Sequence, residues 1–154
     1  MSLGAARLAS VGLAVLLAAG CGPAGPRSLA LGVESCTHCH MTIMEQRFSA
    51  QAITETGKVF GFDDVGCLAS WLAGSPPPTA SLWVWSAIPE EGWLPAERAA
   101  YVRNDTLRTP MRSGVAAVSP GAAADSLTAV LGGTLVGWAE VRGAAHTHSP
   151  TTGS

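Results

Sequence analysis

Charged side chains are scarce in this sequence, and they form no run of one sign. They make up 13% of the 154 residues, against 47% hydrophobic residues, and the formal net charge is −2. Proteins that bind nucleic acid usually carry a basic stripe or an arginine- and lysine-rich run interleaved with aromatic residues, and this chain has neither. The composition therefore predicts one small domain with a hydrophobic core and no nucleic acid partner.

Motifs for hydrolysis and for phosphate chemistry are also missing. The chain has no glycine-rich phosphate loop and no nucleophile elbow. Its adjacent carboxylates, Asp63 and Asp64, are better interpreted as helix caps than as an acid–base pair. We therefore predict that the protein is not an enzyme.

The N-terminal apolar run is too short to cross a bilayer, and it resembles an export signal. Arg7 precedes the run 11–19, which ends in small residues. The sequence Leu-Ala-Ala-Gly-Cys that ends at Cys21 resembles a bacterial lipobox, in which the cysteine is acylated and becomes the mature N-terminus. An ordinary signal peptide with a cysteine at its cleavage point is the alternative. We predict a signal peptide over residues 1–20 and an acylated Cys21 that anchors the domain to a bacterial membrane, facing the periplasm or the cell exterior.

Glycine, proline and small residues dominate the segment after the predicted lipidation site. This composition suits a flexible tether over residues 21–32, followed by a folded domain over residues 33–142. The chain then becomes small and polar again, and we predict a disordered tail over residues 143–154. A metal-capturing arm is the alternative for its two histidines, His146 and His148.

The densest ligand chemistry lies in residues 36–41, Cys-Thr-His-Cys-His-Met. Two thiols, two imidazoles and a thioether are the soft and borderline donors that bind Cu(I), zinc or haem iron. Once Cys21 is set aside, Cys36, Cys39 and Cys67 remain, and an odd number of cysteines cannot all pair within the chain. At least one thiol is therefore free or used for chemistry, unless an intermolecular bridge takes it up.

Hydrophobic patterns divide the domain into two similar halves. The first half is predicted to contain strands over 47–54 and 58–62, a helix from 65 to about 73 and a strand over 82–88. The second is predicted to contain a short helix over 95–100, a strand over 115–118, a helix over 121–131 and a strand over 134–141. We therefore predict a small α+β domain of two ββαβ-like halves, each with a methionine, Met41 or Met111, ahead of its strands.

Several short fragments occur in an order that resembles the NosL family. They are Cys-x-x-Cys-x-Met at 36–41, Arg-Phe-Ser-Ala-Gln at 47–51, Phe-Asp-Asp-x-x-Cys at 62–67, Trp-Leu at 71–72 and Thr-Pro-Met at 109–111. The resemblance covers the chain from Cys36 to Glu140. The members of this family are lipoproteins that act as copper accessory factors for nitrous oxide reductase.

The resemblance implies a membrane-anchored Cu(I) chaperone that works with a membrane transporter complex and delivers copper to an extracytoplasmic enzyme such as nitrous oxide reductase. The Cys-x-Met element of the family maps onto Cys39 and Met41, and its later methionine maps onto Met111. The family usually has glycine between that cysteine and methionine, where this chain has His40. We expect Cu(I) to bind within a set of residues that comprises Cys36, Cys39, His40, Met41, Cys67 and Met111.

Three other interpretations of the same stretch stay open. Cys36-x-x-Cys39-His40 matches the covalent haem attachment pattern of a c-type cytochrome, with Met111 as the distal ligand, although small c-type cytochromes are mostly helical. Cys36 and Cys39 are also spaced for a redox-active or structural disulfide. A zinc site built from these two cysteines with His40 and Cys67 would leave both methionines unexplained.

Overall fold

In the computed structural model, which describes residues 25–147, the chain forms two antiparallel sheets and three α-helices. Its elements in chain order are β1 (Ala50–Thr54), β2 (Val59–Phe62), α1 (Val65–Ala73), β3 (Thr79–Trp85), β4 (Trp93–Pro95), β5 (Ala100–Arg103), β6 (Val115–Val118), α2 (Ala122–Leu131), β7 (Thr134–Val136) and α3 (Trp138–Thr147). The predicted α+β class is confirmed. None of the helices in this part of the chain is long and apolar enough to cross a membrane.

The two sheets order their strands in the same way. The first sheet runs β2-β1-β3-β4, and the second runs β6-β5-β7. In each half the first strand is central, pairs with the second strand in a hairpin, and pairs with the third strand after an intervening helix. This shared topology bears out the predicted ββαβ-like halves, and a parallel bridge between Ser86 and Ala117 connects them.

The first strand of the second half begins earlier than the sequence predicted, at Ala100 rather than at Val115. Residues 95–100 were expected to form a short helix, but they close only one turn, in which the amides of Arg98 and Ala99 donate to the Pro95 carbonyl at 2.9 and 3.1 Å. The chain then extends into β5, a strand that the sequence analysis missed. Met111 consequently lies between β5 and β6, whereas Met41 precedes β1. The two methionines therefore do not occupy equivalent positions in the two halves, which corrects that part of the prediction.

Helix α1 begins and ends where its capping residues predict. The Asp64 carboxylate accepts a hydrogen bond from the Gly66 amide at 2.7 Å, and the Gly74 amide donates to the Trp71 carbonyl. Cys67, one turn into the helix, lies on the buried face with Leu68. The helix therefore carries a thiol into the core near its positively polarised N-terminus.

The chain packs against the first sheet from Arg27 onwards. The Gln51 side chain donates to the Arg27 carbonyl at 2.6 Å and accepts from the Arg27 amide at 3.1 Å. The Arg27 guanidinium lies 2.6 Å from a Glu34 oxygen, and this hydrogen-bonded pairing lowers the pKa of Glu34. Because Leu29 is also buried, residues 27–32 belong to the folded domain rather than to the predicted flexible tether.

The C-terminal part of the domain is helical. The sequence predicted a strand through residue 141 and a tail from 143, but β7 ends at Val136 and residues 138–147 form α3. The Glu140 carboxylate accepts from the Gly137 amide at 2.8 Å, which starts the helix, and the Trp138 ring stacks on Tyr101 at 5.7 Å between centroids. The predicted signal peptide, the lipidated Cys21 and the end of the tail from His148 lie outside the described residues.

Candidate metal centre

Residues 36–41 form the tight loop of a small hairpin. The Cys36 amide donates to the Met41 carbonyl at 2.8 Å, and the His40 amide donates to the Cys36 carbonyl at 3.0 Å. The turn requires a left-handed backbone at His40, whose φ is 63°. The Thr37 amide donates to the Gly61 carbonyl at 2.9 Å and so holds the loop against β2.

Three thiols and one carboxylate meet where this loop packs on the β2–α1 junction. Their ligand atoms, on Cys36, Cys39, Asp63 and Cys67, all lie within 4.8 Å of one another. Cys36, Asp63 and Cys67 are buried, while Cys39 is half-buried and forms the accessible side of the group. We call these four residues the thiol cluster.

All three cysteines of the thiol cluster are free. Hydrogen bonding and burial give their thiols different pKa values. A hydrogen bond from Cys67 lowers the pKa of Cys36 to about 6. The same hydrogen bond, together with burial, raises the pKa of Cys67. Burial raises the pKa of Cys39 to about 11, and its Sγ lies 3.6 Å from both carboxylate oxygens of Asp63. Cys36 is therefore the thiolate at neutral pH, and the thiolate is the form of cysteine that binds metals.

The two candidate methionines flank the thiol cluster. Met41 is 55% exposed on the hairpin loop, next to Cys39, and Met111 is 41% exposed on the β5–β6 loop. The Met111 amide donates to an Asp64 carboxylate oxygen at 3.0 Å, which ties that loop to the start of α1. The Met111 side chain and Cys67 line a common cavity of about 420 Å³. The structure thus brings loops from both halves to the same metal-binding region.

Comparison with known proteins places the chain in a family. The model of the NosL family matches residues 31–146. The chain belongs to the NosL family. Its fold is similar to the crystal structure of the copper chaperone NosL from Shewanella denitrificans, with a TM-score of 0.65 and 19% sequence identity over 77% of this chain and 96% of that chain. No significant match was found among curated proteins.

The left-handed turn explains the glycine that NosL proteins usually have at the position of His40. Glycine adopts positive φ without steric cost, whereas a residue with a Cβ does so rarely. The His40 side chain is exposed, as is that of His38, and neither belongs to the thiol cluster. The structure therefore gives His40 a defined backbone role in the loop.

The haem interpretation does not suit this NosL-type loop. Covalent attachment would need the thiols of Cys36 and Cys39 to face a haem, but Cys36 is 0% exposed and hydrogen-bonds with Cys67. The loop also precedes a β-sheet rather than a helix. The geometry favours a compact metal ion over a macrocycle.

Asp63 is a candidate site residue that the sequence analysis missed, because both adjacent acidic residues were interpreted as caps. A helix needs one N-cap, and Asp64 provides it. Asp63 follows the buried end of β2 and is 3% exposed, and a carboxylate is rarely buried without a partner or a cation. The sequence signal for Asp63 was the pair of adjacent acidic residues before Cys67, because the helix needs only one of them as its N-cap.

Proposed function

We propose that this protein binds Cu(I) outside the cytoplasm and passes it on as a metallochaperone. The observation that carries the proposal is the thiol cluster, in which three cysteine sulfurs lie within 4.8 Å of one another. Met41 is exposed on the same loop as two of these cysteines, and Met111 lines a cavity with the third. Soft thiolate and thioether donors select Cu(I). Membership of the NosL family and the likeness to a protein described as a copper chaperone support the same function.

We propose Cys39 as the ligand that connects the buried and exposed donors. It belongs to the thiol cluster, it is half-buried, and Met41 follows two residues later on the exposed loop. Copper held between Cys39, Met41 and Met111 would remain open to exchange, while Cys36 supplies a thiolate behind it and Cys67 hydrogen-bonds to that thiolate. By family resemblance the recipient would be a copper enzyme such as nitrous oxide reductase, supported by a membrane transporter complex, and the domain would be anchored through an acylated Cys21.

The ligand assignment is tested by anaerobic titration of Cu(I) against a competing chelator. Exchange of Met41 and Met111 for Leu should weaken Cu(I) binding at least tenfold, because each change removes a soft donor. A tenfold loss of affinity corresponds to about 1.4 kcal/mol of binding free energy. Met44→Leu is the matched control, since Met44 is a 71% exposed thioether three residues beyond the Cys36–Met41 hairpin loop. Unchanged affinity in the Met41 and Met111 variants would remove them from the site.

A structural zinc site is the second candidate, because three thiols and a carboxylate fit tetrahedral zinc coordination. In that case Asp63→Asn would lower the zinc content of the purified protein, and the methionine exchanges would leave it unchanged.

Transfer of Cu(I) from the loaded protein to copper-free nitrous oxide reductase separates the two functions. We expect transfer to be lost with Cys39→Ser.

A further inference from the structure

Four exposed apolar side chains lie around the ligand loop. Leu31, Val33, Met41 and Met44 are 43%, 80%, 55% and 71% exposed, and they are four of the seven large hydrophobic residues that are exposed in the described part of the chain. We call them the apolar rim. A concentration of exposed apolar surface at one place marks a site of contact with a partner or a membrane.

Backbone hydrogen bonds hold the two segments of the apolar rim side by side. The Gly32 amide donates to the Ile43 carbonyl at 2.9 Å, and the Ile43 amide donates to the Glu34 carbonyl at 2.9 Å. Ile43 itself is 0% exposed and anchors the hairpin in the core. The rim is therefore a fixed surface of the fold.

The chain enters the domain beside this rim. Arg27 is hydrogen-bonded to Gln51 and ion-paired at 2.6 Å with Glu34, the residue after Val33. Six residues lead from Cys21 to Arg27, and in a fully extended chain they span at most about 20 Å. An acyl group on Cys21 would therefore hold this end of the domain, rather than the α2 side, next to the bilayer.

The charges near the apolar rim cancel. Arg27 lies 2.6 Å from Glu34, and Arg47 lies 3.9 Å from Glu45. The surface thus offers apolar contact without a basic patch, so it does not select anionic lipid headgroups.

We propose that the apolar rim docks on the lipid bilayer and orients the domain there. The inference rests on the acylation of Cys21 proposed above. The acyl chains keep the domain near the membrane, and the rim adds the second apolar contact that fixes which face meets the lipid. Docking lays Met41 and the neighbouring Cys39 at the lipid surface, so that Cu(I) is taken up and released there.

The test uses the full-length chain purified from membranes, with its acylation first established by intact mass. The copper-free protein, with ¹³C-labelled methionine methyl groups, is placed in phosphatidylcholine nanodiscs that contain spin-labelled lipid. We expect the Met44 methyl resonance to broaden severalfold more than that of Met111, equally at low and high salt. Val33→Glu should reduce the Met44 broadening severalfold, and Val130→Glu should leave it unchanged, because Val130 is equally exposed, at 82%, but lies on α2.

Three results would overturn the docking. The first is equal broadening of Met44 and Met111 that Val33→Glu leaves unchanged. The second is broadening that high salt abolishes. The third is a Met44 signal that responds only to an added soluble copper enzyme, which would make the rim a protein interface. A mature chain without acyl groups would overturn both the anchor and the docking. The Cu(I) titration of the methionine variants would still decide the copper function, so the two failures are distinguishable.

Discussion

His40 holds a backbone conformation that residues with a side chain rarely adopt. With φ at 63° and an exposed imidazole, it closes the Cys36–Met41 turn at a steric cost. His40→Gly should therefore stabilise the protein by roughly 0.5–1 kcal/mol. This is the free-energy cost of the left-handed conformation at His40 minus the cost of the extra conformational freedom that glycine has in the unfolded chain. Chemical denaturation measures the change.

His38→Gly is the control for that measurement, since His38 is exposed in the same loop but has no positive φ. It should be neutral or slightly destabilising. Cu(I) affinity should survive His40→Gly if the imidazole is not a ligand. A stability loss in the His40 variant would show that its side chain contributes more than its backbone costs.

Asp63 contributes to the raised pKa of the accessible thiol, Cys39. Burial is the main reason that the pKa of Cys39 is raised to about 11, and the carboxylate adds to it, since a negative charge 3.6 Å from the sulfur favours the neutral thiol. Asp63→Asn should therefore lower the pKa of Cys39 and speed its alkylation at a given pH below about 11. The rate of iodoacetamide labelling of Cys39, followed against pH by mass spectrometry, measures the shift.

Asp64→Asn serves as the matched control for this charge effect. Asparagine caps a helix as well as aspartate does, so α1 should be retained. Because Asp64 is not among the groups that shift the pKa of Cys39, the labelling profile should not move. Equal profiles for both variants would assign the raised pKa of Cys39 to burial and to the neighbouring Cys36, without a contribution from Asp63.

At the scale of secondary structure, local signals predicted those elements whose ends carry their own caps or turns. Asp64 and Gly74 bound α1, Gly132 in a left-handed conformation ends α2, and Gly57 turns the β1–β2 hairpin. Each of these caps and turns depends on residues only a few positions apart, so it can be recognised in the local sequence. They positioned Cys67 correctly in the first turns of α1.

Elements determined by tertiary pairing were not predictable in the same way. The sequence Pro-Ala-Glu-Arg-Ala-Ala at 95–100 favours a helix, but Ala100 pairs with Val118 and the chain becomes the central strand β5. The donors of the metal centre divide similarly. Residue type alone made Cys36, Cys39 and Cys67 candidate donors, whereas Asp63 becomes a candidate only through the packing of the loop on the β2–α1 junction.

Helix α3 can be tested at Gly143. Gly143→Ala should stabilise the domain by about 0.5–1 kcal/mol, because alanine favours the helix, Gly143 is exposed, and no atom lies within 4 Å of an added Cβ. Gly143→Pro should destabilise it by about 3 kcal/mol through loss of a helix hydrogen bond. Thermal or denaturant unfolding distinguishes this from a tail, in which both changes would be close to neutral.

At the scale of the whole molecule, the candidate metal centre lies where the two halves meet. The first half contributes the ligand loop and the β2–α1 junction, and the second contributes the β5–β6 loop with Met111. The backbone of Met111 is tied to the first half by its amide hydrogen bond to Asp64, at 3.0 Å. A bound ion that engages Met111 would therefore add a further connection between halves that the Ser86–Ala117 bridge joins but that form separate sheets.

Cu(I) should consequently raise the thermal stability of the whole domain, since a ligand that binds the folded state more tightly than the unfolded one shifts the unfolding equilibrium. Met111→Leu should keep the apo melting temperature but show a smaller rise with Cu(I), because copper would then be held by the first half alone. Met44→Leu should reproduce the full rise. Calorimetry under anaerobic conditions makes the comparison, and an equal rise in the Met111 and Met44 variants would mean that copper is held without the second half.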